Sequence, residues 1–191
     1  MTLWYIARGA GLSALILLTV ATCLGAVTSG RVHGRPVARI NAQYLHRAFA
    51  FGGLAVLGVH VIAILADSYA HVGWLHSLIP FTSQYRPLWV GIGTLALYAY
   101  ALVAVSGMLR ARLATSTAGA RGWRILHGSA YAGWALSILH GLKSGTDSDV
   151  TWVRFLYLAC LAAVVGSVAV RMVTAAPERR TAPTVPIGVT R

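Results

Sequence analysis

Residues 45–65 read LHRAFAFGGLAVLGVHVIAIL, an apolar run that carries His46 near one end and His60, fourteen positions on, near the other. Apart from Arg47, beside the first histidine, everything between them is aliphatic, aromatic or glycine. An α-helix of about 20 residues crosses a hydrocarbon core of about 30 Å, and this run is long enough to do so. A titratable side chain inside such a span is costly and marks a functional candidate. What the two imidazoles do therefore decides how the rest of the chain is read.

Outward from this run the same texture recurs. Apolar blocks cover roughly Trp4 to Val27, Leu45 to Ala66, Leu88 to Met108, Trp123 to Leu142 and Trp152 to Val173. With 57% hydrophobic and 10% charged residues, the balance is not that of a water-facing surface. Spanning backbone must satisfy its own hydrogen bonds, and the alternation of a membrane β-barrel is absent. The expectation is an all-α integral membrane protein, a bundle of about five transmembrane helices over residues 1–173, followed by a disordered, basic, cytoplasmic tail over residues 174–191. Trp4, Tyr5, Trp74, Trp89, Trp123 and Trp152 fall at or near the block ends, where interfacial rings are favoured.

Charge sets the expected orientation. Of 16 cationic residues, 12 lie within 31–47, 110–124 or 171–191, while Asp67, Asp147 and Asp149 lie in the alternate connectors. The positive-inside tendency then places the amino terminus outside and the carboxyl terminus in the cytoplasm, as a multi-pass protein of the plasma membrane. The formal charge of +12 follows the membrane edges and forms no aromatic-interleaved face. Nucleic acid is excluded as a partner on that ground, and anionic lipid or an acidic partner is preferred. A signal peptide or lipoprotein site around Val20 to Cys23 is the lesser reading of the first block, which lacks a basic start. Cys23 and Cys160 both sit in apolar settings and read as buried, inert thiols.

Two more histidines, His127 and His140, lie in the fourth block, thirteen apart. At 1.5 Å per residue the members of each pair are about 20 Å apart along their helix, too far to share one metal ion. The second and fourth spans run in the same direction, so His46 and His127 share the inner depth and His60 and His140 the outer one. Each depth then offers two imidazoles from different helices, with no Cys, Asp or Glu to complete a zinc site. A porphyrin supplies four nitrogens of its own and leaves two axial positions for imidazole, so two b-type haems, each with two axial histidines and stacked along the bundle, are the leading reading. Helix-packing histidines and a proton path are the alternatives. Gly52, Gly53, Ala55 and Gly58, and Gly128, Ala130, Ala132 and Gly133, offer room for a flat macrocycle or for close helix packing. The thirteen-residue spacing turns the fourth-block histidines about 140° apart, so that helix should bend, tighten locally or meet offset haems.

These residues resemble the ferric reductase-like transmembrane family, which includes NADPH oxidases and the haem subunit of bacterial methionine-sulfoxide repair. The resemblance rests on histidines at spacings of fourteen and thirteen on two helices separated by one span. LHR at His46, LHG at His140, ARG at Arg8, PFTSQYRPLWVGIGT and SGTDS are similar to short actinobacterial members. It implies that electrons pass from a cytoplasmic-side haem to an outer haem and then to an extracytoplasmic acceptor such as ferric iron or a flavoprotein. The chain departs from its larger relatives in having no flavin or nicotinamide site, which implies a separate flavoprotein reductase or a quinol as donor.

The remaining polar residues each carry two readings. Arg8 resembles the arginine that such proteins place by the outer haem or acceptor, and a snorkelling cation explains it equally. Arg47 and Arg124 sit where they could neutralise propionates of the inner haem, and positive-inside charge accounts for them as well. Trp134, midway between His127 and His140, reads as an electron bridge or as core packing. His71 and His76 flank Trp74 as acceptor-side metal contacts or plain loop residues. Asp147 and Asp149 attract a cation or shape a turn, and His33 carries no special role. The functional expectation is an oxidoreductase component conducting electrons across the membrane. A quinol-linked haem subunit of a larger complex and a non-redox scaffold or proton-relaying transporter are the alternatives.

Overall fold

The computed structural model describes residues 2–29, 36–67 and 72–175. His33, His71 and nearly all of the carboxyl-terminal tail lie outside them, as do Arg31 and Arg35. The described chain is helical, with elements α1 (Thr2–Ser29), α2 (Pro36–Ala66), α3 (Trp74–Leu78), α4 (Pro87–Met108), α5 (Arg110–Leu113), α6 (Thr117–Ser144) and α7 (Thr151–Ala175). Among the described residues there is no β-strand.

Long apolar stretches make these helices, and identifiable residues end them. Pro87 opens α4 in its first turn, where a missing N–H costs nothing. Ser116 caps α6 by accepting the Gly119 N–H at 3.1 Å. Polar side chains inside the spans satisfy themselves on the preceding turn. Thr19, Thr22 and Ser137 each donate to a carbonyl four residues back, and Ser106 and Ser167 to one three residues back.

Four helices, α1, α2, α4 and α7, are long and apolar enough to cross a membrane, so the protein is a multi-pass α-helical membrane protein. Phe51, Ile62, Phe155, Leu158 and Val165 are exposed along these helices. In water such surfaces would aggregate, whereas in a bilayer lipid covers them. The fourth apolar block is the exception to the expected five. It forms α6, whose 28 residues suffice in length, but its composition does not place it among the spans. Arg121, Arg124, His127, Ser129, Ser137, His140 and Lys143 all lie within that helix and lower its mean hydropathy.

The helices associate as two antiparallel hairpins. α1 packs along α2 and α4 along α6, while α7 lies against α1. A buried cluster of Leu15, Trp134, Ile138, Val153, Tyr157, Cys160 and Val164 joins α1, α6 and α7. Small residues allow the close approaches. A Cβ on Gly53 would meet Leu18 at 2.8 Å, and one on Gly133 would meet Ala99 at 3.0 Å. Between α2 and α6, by contrast, there is little packing, and the gap between the hairpins is where the four histidines gather.

Candidate functional site

Two imidazole pairs bridge that gap. The ring centroids of His46 and His127 lie 6.2 Å apart with their planes at 69°. Those of His60 and His140 lie 6.3 Å apart at 79°. Pairs assembled this way require α2 and α6 to run in the same direction with matched depths. Along α2 the fourteen-residue separation puts the pairs about 21 Å apart.

Each imidazole is held from behind by the first helix of its own hairpin. His46 Nδ1 is 2.8 Å from the Ala21 carbonyl and His60 Nδ1 is 2.7 Å from that of Ala7, both on α1. His140 Nδ1 is 2.8 Å from the Trp89 carbonyl on α4. His127 Nδ1 meets the Ser106 hydroxyl at 3.1 Å, and that hydroxyl itself donates to the Val103 carbonyl. A carbonyl can only accept, so Nδ1 carries the proton and Nε2 keeps its lone pair, directed away from the supporting helix into the gap. Histidines fixed through one nitrogen and free at the other are the usual arrangement of metal ligands.

The spacing suits one ion between two rings. A metal to imidazole nitrogen bond of about 2.0 Å and a ring radius of about 1.1 Å place the centroids of two opposed ligands about 6.2 Å apart. Among the described residues no group of three or more His, Cys, Asp or Glu side chains gathers anywhere, so each pair is a two-ligand site. A centre that brings its own equatorial nitrogens matches such a donor set, and a haem does so.

The glycines that let the rings approach are not the ones singled out in the sequence. A Cβ on Gly11 would stand 3.0 Å from His60 Nδ1, and one on Gly25 would stand 3.2 Å from His46 Cε1. The corresponding distances are 2.5 Å from Gly93 to His140 Nδ1 and 3.4 Å from Gly107 to His127 Cε1. Gly11 follows Ala7 by one helical turn, Gly25 follows Ala21, and Gly93 follows Trp89. Each of these carbonyls is therefore the one that the glycine's own N–H addresses in the helix, and the imidazole shares it. Gly11 to Gly25 and Gly93 to Gly107 both repeat the fourteen-residue spacing of His46 to His60, a signal present in the sequence. Gly52, Gly58 and Gly128 have open space before them, while Gly53 and Gly133 serve helix packing.

The thirteen-residue spacing is absorbed without a break. α6 is one uninterrupted α-helix, and both of its histidines lean on α4. His127 instead takes a different partner, a serine hydroxyl in place of a bare carbonyl, and its ring is stacked by Trp123 at 5.1 Å and 18°.

A cavity surrounds the His60/His140 pair, lined also by Arg8, Tyr85, Tyr100 and Asp147. Arg8 forms an ion pair with Asp147, its guanidinium lies 5.6 Å from the Tyr5 ring centroid, and its Nε is buried without a hydrogen-bond partner. An orphaned donor beside the cavity suits an additional anionic group, as a propionate would be. Asp149 is paired at 2.6 Å with Arg154 on the exposed side of the same turn. The connector before α4 closes this end of the bundle. Tyr85 donates to the Ser144 carbonyl at 3.2 Å, Arg86 to that of Lys143, and Thr94 to that of Ser77 at 3.1 Å.

The other residues fall as follows. Arg47 and Arg124 are exposed at the His46/His127 end. Trp134 is buried in the core, with its indole N–H donated to Thr19 Oγ1 at 2.9 Å. His76 Nδ1 lies 3.2 Å from Thr82 Oγ1 within the connector. Cys23 and Cys160 are free thiols. Comparison with protein-family models, curated proteins and solved structures gives no match to this chain.

Proposed function

We propose that the protein carries electrons across a membrane through two b-type haems, one between His46 and His127 and one between His60 and His140. The observation that supports this most is the pair of centroid separations, 6.2 and 6.3 Å, both matching two imidazoles on one ion. A haem so held supplies a one-electron ferric/ferrous couple. In this reading α6 is the fifth crossing segment, its low hydropathy offset by facing the cofactors and α4 rather than lipid.

The chain's own residues hold the four imidazoles that would ligate the haems, and they bias charge around them. The carbonyls of Ala7, Ala21 and Trp89 hold one tautomer, and the glycines set the depth of approach. Arg8, already paired with Asp147, has a spare donor for a haem carboxylate. In this reading Arg47 and Arg124 sit on the cytoplasmic side, with the amino terminus outside, and the histidine pattern resembles that of the ferric reductase-like transmembrane family. The donor is a flavoprotein or a quinol, and the acceptor lies outside the cytoplasm. A proton relay along α2 is disfavoured because the Nδ1 atoms of His46 and His60 end on backbone carbonyls, which pass no proton on.

Vesicle reconstitution tests the reading. Dithionite added outside should reduce ferricyanide trapped inside when the protein is present, and His60→Ala should abolish the transfer. Equal rates with and without protein would refute electron conduction.

A further inference from the structure

The two imidazole pairs are alike in spacing but not in surroundings. Trp123 donates its indole N–H to the Ser106 carbonyl at 2.9 Å, while the Ser106 hydroxyl meets His127 Nδ1 at 3.1 Å. One residue thereby fixes both rings, and the rings stack at 5.1 Å and 18°. The Arg110 guanidinium lies over the indole, 5.0 Å from its centroid. Arginine, tryptophan and histidine thus form a column running from the exposed end of α4 and α5 to an imidazole that faces the gap. Among the described residues none of His46, His60 and His140 has an aromatic ring stacked on it in this way.

Charge compensation differs too. At the His60/His140 end the nearby cation, Arg8, is matched by Asp147. Arg110 takes part in neither of the two ion pairs found among the described residues. Arg110 is exposed, as are Arg47 and Arg124, but its guanidinium is packed on the indole that stacks against His127, so part of the path between its charge and that ring runs through protein rather than water.

We infer that Arg110, Trp123 and Ser106 act as a positioning unit for the His127 ring that biases the His46/His127 site toward its reduced state and separates its potential from that of the His60/His140 site. This rests on the haem reading. A ferric centre carries one more positive charge than a ferrous one, so an uncompensated cation at the end of the stack disfavours the oxidised form. The indole stacked on His127 would also restrict rotation of that imidazole were it to hold a haem iron.

A potentiometric titration of the full-length protein, followed in the reduced α-band, tests the inference. Removing a cation that disfavours the ferric form stabilises that form, so Arg110→Gln should lower one midpoint potential. The other midpoint should stay in place, and Arg110→Lys should restore most of the shift. Trp123→Leu should alter the low-spin electron paramagnetic resonance signal of the same haem and leave the second signal as it was. Two midpoints that both stay fixed, or both move together, in Arg110→Gln would overturn the inference, as would Trp123→Leu spectra that match the wild type. Failure of the underlying haem reading is distinguishable, because wild-type protein would then show no α-band before any variant was made.

Discussion

Of the four glycines that face the paired imidazoles, Gly93 stands closest. With a Cβ only 2.5 Å from His140 Nδ1, an alanine there collides with an imidazole that already bonds the Trp89 carbonyl and cannot retreat without losing it. At Gly107 the same Cβ would stand 3.4 Å from His127, an ordinary contact. On the proposed haem reading, Gly93→Ala should lose the cofactor between His60 and His140 and purify with about half the haem of wild type, while Gly107→Ala keeps both, as a haem assay on the two variants would show. Near-perpendicular ring planes, at 69° and 79°, should also give strongly anisotropic low-spin resonance signals from both sites, where a rhombic signal would mean parallel rings. At this scale the four histidines were legible because an ionisable group within an apolar run stands out. Gly11, Gly25, Gly93 and Gly107 were not. The chain has 20 glycines, and only the partner helix determines which of them face an imidazole.

Helix boundaries and pairings follow from similar physics. Apolar length gave α1, α4 and α7 almost to the residue, and it started α2 late, at Leu45 rather than Pro36, because Arg39, Asn41 and Gln43 interrupt the run. For α6 it gave the helix but overstated the apolar character, since arginines, serines and histidines are interspersed among the residues such as Trp134 and Ile138 that pack against α1 and α7. Of the outcomes expected for α6, a bend, a local tightening or offset haems, the structure shows one continuous helix whose two histidines take different kinds of partner on α4. Trp134 couples α6 to α1 through Thr19, so Thr19→Val strands a buried indole N–H. Such a loss costs about 1–3 kcal/mol and should lower the Tm in detergent, followed by circular dichroism, with the haem content unchanged. A Tm equal to that of wild type would mean that the indole is not held by Thr19.

The whole molecule is two hairpins, α1 with α2 and α4 with α6, each presenting two back-supported imidazoles to the space between them, and α7 strapped along α1. The composition and the apolar blocks made a helical membrane protein plain, and charge asymmetry gave an expected orientation. Neither could show that the hairpins stand apart where the histidines are, because a gap is a property of packing and not of any one segment. The orientation is open to test by placing a single reactive cysteine at Thr2 in a chain whose Cys23 and Cys160 are replaced by serine. A membrane-impermeant thiol reagent should label it in whole cells, and labelling only after lysis would reverse the assignment. The central claim is tested most directly by the haem content of purified wild-type protein expressed with a haem precursor supplied. The account requires about two b-type haems per chain, with sharp reduced α-bands of six-coordinate iron. Colourless protein that is nonetheless folded would contradict it.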